Sequence, residues 1–172
     1  MTAVLVAPSA AHERSVLANV AELIAAGEET RITADTFAAT IARYAVEAAG
    51  RDLAPDRVAN TELWLVDGDT YIGRTGIRHQ LNDGLLREGG NIGYTIRPSM
   101  RGRGFGTLIL RLALVRAAEL GISRALLTCD DDNVASRRII EAAGGIPDAP
   151  LDPGVLRFWI RTTPGAMVTP TV

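Results

Sequence analysis

The segment Ile96-Arg97-Pro98-Ser99-Met100-Arg101-Gly102-Arg103-Gly104-Phe105-Gly106-Thr107 constrains the fold more than any other part of the chain. Pro98 stops an alternating run from Asn91 to Arg97. Three glycines at every second position then lead into an apolar helical stretch from about Arg103 to Leu120, with Gly121 as its stop. A strand that runs through a glycine-rich turn into a helix N-terminus outlines an anion site. The first N–H groups of a helix lack internal acceptors, and the macrodipole adds partial positive charge there. Glycines let a diphosphate approach the backbone, and Arg101 and Arg103 offer charge-assisted hydrogen bonds. All 18 basic side chains are arginine. A lysine-bearing phosphate loop, a Schiff-base enzyme and a kinase strand lysine are therefore excluded.

The rest of the chain fits around this unit. Val4 to Ala7 reads as a short strand ended by Pro8. Val16, Val20, Leu23 and Ile24 give Ser9 to Ala26 a helical spacing, with Gly27 as the stop. Thr33 is placed to cap a second helix, with Asp35 in its first turn, Phe37, Ile41, Tyr44 and Ala48 along one face, and Gly50 at its end. The period then changes to two. Glu62 to Val66 and Tyr71 to Leu81 read as strands joined by Asp67-Gly68-Asp69-Thr70, a hairpin signal. Leu85 and Leu86 lie in a connection ending at Gly89-Gly90. Beyond the glycine turn and its helix, Arg124 to Thr128 reads as a buried strand, Asn133 to Ala143 as a helix stopped by Gly144-Gly145, and Val155 to Arg161 as a last strand. The order predicts a mixed α/β domain over residues 1–162, with a helical front half (1–60), a sheet and cofactor core (61–162), and a mobile tail (163–172).

Composition narrows the function classes. A net charge of −2 argues against general nucleic-acid binding. The apolar stretch from Phe105 to Leu120 is cut by Arg111 and Arg116, so no membrane span is expected. Met1 to Ala7 lacks the basic start of a secretory signal, and a cytoplasmic location is expected. His12, His79 and the single Cys129 are too few for a Cys-rich zinc site; no metal and no internal disulfide are expected. A dinucleotide fold is the rival reading, because Asp130 closes the next strand where a ribose-binding acid would sit. Against it, Gly102-x-Gly104-x-x lands on Thr107, four residues separate Arg97 from Gly102, and an antiparallel meander precedes the unit.

The run Arg101-Gly102-Arg103-Gly104-Phe105-Gly106 resembles the Arg/Gln-x-x-Gly-x-Gly/Ala loop of the GNAT superfamily of acyl-CoA N-acyltransferases. A second block, Asn133-Val134-Ala135-Ser136 followed by Gly144, resembles the motif after the family's next strand. Arg78-His79, Gly90 to Tyr94, Thr128 to Asn133 and Arg157 to Ile160 look like a branch of bacterial predicted acetyltransferases without an assigned substrate. The motif-bearing likeness runs from about Trp64 to Ile160. It implies a central, mostly antiparallel twisted sheet of about six to seven strands, flanked by about four helices, with a parallel strand pair at the cofactor cleft. It implies acetyl-CoA as co-substrate and a primary amine of a small molecule or peptide as acceptor, in a monomer or homodimer. By the same likeness Arg101, Gly102, Arg103, Gly104, Phe105, Gly106 and Thr107 hold the diphosphate, and Ile96 and Arg97 also bind the cofactor. Asn133, Ser136 and Arg137 meet the rest of the cofactor, and the strand Asn91 to Arg97 pairs with pantetheine.

Two positions depart from the family pattern. The tyrosine that often protonates the leaving thiolate is Ile140 here, and the glutamate that often serves as base is Asn91. Substitutes are His79, a residue type suited to proton transfer, Tyr94, and Cys129 before a helix N-terminus. Each has a plain structural alternative: a strand histidine, a core tyrosine and a small buried hydrophobe. Arg78, His79, Asn82 and Trp159 are candidates for holding the acceptor, with a leaning towards acceptors bearing negative charge. Asp130-Asp131-Asp132 reads as capping acids rather than a metal cluster. A chain that kept the cofactor loop but lost acid and base would be an acyl-CoA sensor.

Overall fold

The hairpin signal at Asp67-Gly68-Asp69-Thr70 closes as expected. In the computed structural model, which describes residues 2–30 and 32–162, Asp67 pairs with Thr70 and Gly68 turns at a φ of 55°. The turn joins β2 (Asn60–Asp67) to β3 (Thr70–Arg78), and the register slips at Leu65/Val66 in a bulge. β1 (Val4–Val6) adds to the outer edge of β2 and β4 (Ile92–Ile96) to the other edge of β3, so one antiparallel sheet has the order β1-β2-β3-β4.

Alternation along these strands gives the sheet two apolar faces. Trp64, Val66 and Tyr71 pack beneath α1 (Glu13–Ala25) and α2 (Phe37–Ala48) with Val16, Val20 and Phe37. Leu63, Ile77 and Ile92 face the opposite way, against Leu110, Ala113 and Ala117 of α4 (Phe105–Glu119). Two details of the helical front differ from expectation. Ile24, counted with the apolar face of α1, is 64% exposed, because the helix turns it outward just before the Gly27 stop. α2 begins at Phe37, not at Thr33; the Thr33 hydroxyl instead accepts the Thr36 N–H at 3.2 Å and caps the preceding turn.

A second sheet has the order β5-β7-β6, built from β5 (Arg124–Asp130), β7 (Val155–Arg161) and β6 (Ile146–Asp148). The short β6 is an addition to the predicted elements, and its Pro147 suits an edge. So is α3 (Asp83–Arg87), which shortens β3 to end at Arg78; Asn82 caps it by accepting the Leu85 N–H at 2.9 Å. With α5 (Val134–Ala142) there are five α-helices and seven strands among the described residues. The mixed α/β class holds, with its strands divided into sheets of four and three. Residues 163–172, expected to be mobile, lie outside the described residues. No described helix is long and apolar enough to cross a membrane.

Asn91 joins the two sheets. Asn91 donates its N–H to Leu126 O at 2.7 Å, and its Oδ1 accepts the Leu126 N–H at 2.9 Å. Its Nδ2 donates to Arg78 O at 3.1 Å, and its carbonyl accepts the Arg78 N–H at 2.8 Å. A Cβ on the preceding Gly90 would collide with the Leu126 carbonyl, so only glycine lets the strands come this close. Beyond that clamp β4 and β5 belong to different sheets, and a gap opens between them.

Candidate active site

The gap widens into a cleft of about 480 Å³ under the glycine turn, lined among others by Tyr94, Ile96, Gly102, Gly106, Asn133 and Ser136. Gly102 and Gly104 take left-handed φ values of 72° and 83°, and Gly104 is the N-cap of α4 with no side chain closing the helix end. The first internal bond runs from Leu108 N–H to Gly104 O at 3.2 Å. The N–H groups of Phe105, Gly106 and Thr107 therefore have no acceptor within the helix. Gly106 is close to α5: a Cβ there would lie 2.7 Å from Ile139 Cδ1 and would displace that side chain.

Two arginines of this segment, Arg97 and Arg101, are held by acids of the helical front. Arg97 donates through Nε and Nη2 to Glu22 Oε1 at 2.8 and 2.6 Å, and Arg101 forms a two-pronged pair with Glu28 at 2.6 and 2.7 Å. The Arg97 bond, helped by the Ser99 N–H, holds the Glu22 carboxyl down at about 2, and Arg101 likewise lowers Glu28. Arg97 lines the neighbouring cavity towards α1, whereas Arg101 and Glu28 both line the cleft. Arg103 donates to Met100 Sδ at 3.1 Å and lies 5.6 Å above the Phe105 ring. What the cleft presents to an anion without prior rearrangement is thus backbone, in an uncapped helix turn.

Deeper in, the gap between β4 and β5 is a cavity of about 260 Å³. Arg78 N–H donates to Asn91 O and Arg97 N–H to Ile72 O, so the odd-numbered positions of β4 bond to β3. By alternation the N–H and C=O of Ile92, Tyr94 and Ile96 point along the other edge, into the gap. The Tyr94 hydroxyl reaches across to Ser136 Oγ at 3.1 Å. Burial raises the Tyr94 phenol, the Ser136 bond opposes this, and Cys129 adds to it. Cys129 itself is buried, and its thiol is pushed up by burial first and then by Asp130, which is the opposite of an acidified nucleophile. Asn133 Oδ1 caps α5 by accepting the Ser136 N–H at 3.0 Å, and Arg137 pairs with Glu141 at 2.9 Å on the outer face of that helix. Ile140 is fully buried in the core.

On the far side of β4 lies a third cavity of about 490 Å³, walled by charged residues including Arg43, Glu47, Arg57, Glu62, Arg74 and Arg78. Glu62 was not among the expected site residues. It shares a strand face with Trp64 and Val66, and an acid in a row otherwise buried was the available signal. It is 5% exposed, and burial pushes its carboxyl up to about 7 against the pull of Arg74. Arg74 Nη1 lies 3.2 Å from Oε1, yet that oxygen has no hydrogen-bond partner. Arg74 in turn donates to the Tyr44 hydroxyl at 3.5 Å. The floor beside Glu62 is bare: Gly76 and Gly93 pair directly across β3 and β4.

Of the expected acceptor residues, Arg78 and Asn82 line this cavity. His79 bonds Thr61 Oγ1 at 2.8 Å, and Trp159 donates to Asp148 Oδ2 at 2.8 Å under the Arg124 guanidinium in the second sheet; neither borders the three cavities. Tyr94 borders all three, which makes it the point where cleft, gap and charged cavity meet.

Comparison with known proteins gives the family and the fold. Residues 9–146 match the family profile described as an acetyltransferase (GNAT) domain. No protein of curated function matches the chain. Among solved structures, the GNAT domain of S. lividans PAT is 15% identical with a TM-score of 0.66, covering 94% of this chain and 91% of that one. An acetyltransferase from Salmonella typhimurium that modifies the N-terminal serine of ribosomal protein L7/L12 is 15% identical with a TM-score of 0.66, over 94% and 95%. The putative acetyltransferase yncA from the same organism, solved with acetyl-CoA, is 15% identical with a TM-score of 0.61, over 99% and 98%. At this identity the likeness establishes the fold.

Proposed function

The chain belongs to the GNAT acetyltransferase family, and on that premise we propose that it moves the acetyl group of acetyl-CoA to the primary amine of a small molecule or peptide. The observation that carries the reading is Tyr94, standing where a backbone-lined cleft, a strand gap and a charged cavity converge. The uncapped turn at Phe105, Gly106 and Thr107 suits the cofactor diphosphate, and the free edge of β4 suits the amides of pantetheine. The acceptor amine enters from the charged cavity over Gly76 and Gly93.

Glu62 takes one proton from the ammonium, a role that its lifted carboxyl near about 7 fits. The nitrogen lone pair then forms the C–N bond at the thioester carbonyl, and the C–S bond breaks. The leaving thiolate takes the Tyr94 hydroxyl proton, which burial keeps in place at neutral pH. The second nitrogen proton leaves as the amide forms and restores the tyrosine. Here the acid comes from β4 and leans on Ser136 of α5, where the family pattern would put a tyrosine at the buried Ile140.

Amine-dependent release of CoA is the test. Turnover should rise with pH as Glu62 loses its proton near about 7. Glu62→Gln should cut kcat by about 10²–10⁴-fold and flatten that rise, with acetyl-CoA affinity unchanged. A protein that binds acetyl-CoA yet releases no CoA with any amine in a broad panel would be a sensor instead.

A further inference from the structure

The charged cavity holds four arginines, and three of them have carboxylate partners. Arg43 and Arg57 each lie 3.5 Å from Glu47 Oε1, and Arg74 lies 3.2 Å from Glu62. Arg78 differs. Among the described residues it forms no ion pair; its Nη1 donates to Gly89 O at 2.8 Å and to Gly90 O at 3.3 Å. Both hydrogens of that nitrogen are used, and the guanidinium is anchored against backbone. The two hydrogens of Nη2 and the one on Nε have no protein partner among the described residues, and neither nitrogen is sealed from solvent. That leaves the Nε–Nη2 edge, a planar fork that fits the two oxygens of a carboxylate.

Position and charge agree with the fork. Arg78 borders both the charged cavity and the gap between β4 and β5, so it stands at the passage an acceptor must use. Gly93 leaves the guanidinium uncovered: a Cβ there would lie 3.5 Å from Nη1 and 3.8 Å from Nη2. Glu62 pairs with Gly76, two residues from Arg78 on the same face, so the two side chains are diagonal neighbours about 7–8 Å apart at the backbone. Both residues line the same cavity, so a ligand whose cationic and anionic groups sit on one carbon has a partner for each.

We propose that the acceptor is a free α-amino acid, its ammonium on Glu62 and its carboxylate on the Nε–Nη2 edge of Arg78. A peptide N-terminus lacks the carboxylate beside its amine and would leave the fork unmet. The proposal rests on the acetyl-transfer reading for turnover but not for binding, so the test uses both.

Calorimetry on the CoA-loaded protein compares the common free α-amino acids with their carboxamides, and CoA release is followed for the same pairs. The expected result is a preferred amino acid that binds, and is acetylated, about 100-fold better than its carboxamide. Arg78→Gln should erase that ratio by raising KM for the acid far more than KM for the carboxamide. Arg78→Lys, which keeps charge but not the fork, should fall between. Carboxylate-dependent binding without any turnover would support this site and defeat the acetyl-transfer reading alone. Equal use of acid and amide, preference for a peptide N-terminus, or no binding by any free amino acid would overturn the proposal.

Discussion

The cleft under the glycine turn and the cavity beside Glu62 are built on opposite principles. The first is made of backbone: left-handed Gly102 and Gly104, an uncapped helix turn and the gap-facing edge of β4, with Arg97 and Arg101 already paired to Glu22 and Glu28. The second is made of side chains: a buried carboxylate, an arginine 3.2 Å from it and another arginine with an open fork. A backbone site offers the same N–H groups to any diphosphate, so it suits a cofactor common to a whole family. A side-chain site is specific to the residues present, so it suits the selection of one acceptor over another.

The contrast can be broken most forcefully at Gly104. A carboxylate introduced by Gly104→Glu would face the same N–H groups as the diphosphate, and calorimetry should show CoA affinity falling by at least about 100-fold. Gly104→Ala separates charge from strain. Its Cβ would meet no neighbour, so it should cost about 1–2 kcal/mol of stability for the left-handed φ while CoA still binds. If the glutamate variant binds CoA normally, the cleft is not the diphosphate site.

Tyr94 joins the two regions, and Tyr94→Phe removes only the hydroxyl on Ser136. Steady-state turnover should fall by about 10–100-fold in kcat with little change in KM for either substrate. An unchanged kcat would return Tyr94 to packing.

The smallest expected effect has the opposite sign. Glu28 competes for Arg101, so Glu28→Gln should tighten CoA binding by about 2–5-fold at low salt, less at high salt. Weaker binding would mean that the Glu28–Arg101 pair organises the loop instead of restraining it.

The same contrast has a stability counterpart at Glu62. Its folded carboxyl titrates near about 7 instead of 4.5, so the folded state keeps a proton that the unfolded chain releases over that window. The corresponding stability is fully present below the unfolded value and is lost as pH rises through about 7. The inactive Glu62→Gln variant should therefore melt higher than wild type above that pH and match it in acid.

How much of this was visible in the chain depends on the range over which each feature is determined. The hairpin at Asp67-Gly68, the strand-to-helix passage through Gly102 and Gly104, and the stop at Gly121 are local: a left-handed φ or a helix end is decided by a few neighbouring residues. Those were legible, and with them the family. Gly106 was legible as a glycine but not for its surroundings, since the Ile139 side chain that a Cβ would displace lies on another helix. Asn91 looked like a missing base and is instead the clamp between two sheets, a role defined only by Leu126 and Arg78 in space.

Glu62, Arg74 and Arg78 lie on neighbouring strands, and their shared face follows from the register of β2 on β3. That register rests on the hairpin turn and on a bulge at Leu65/Val66. A one-residue slip would turn every one of these side chains to the other face. The amino-acid sequence therefore determined where backbone could be offered to an anion. Only the tertiary structure decided which carboxylate would be buried without a hydrogen bond at Oε1 and which guanidinium would keep an open edge. Burial and pairing belong to the packed neighbours of a residue, not to its neighbours in the chain.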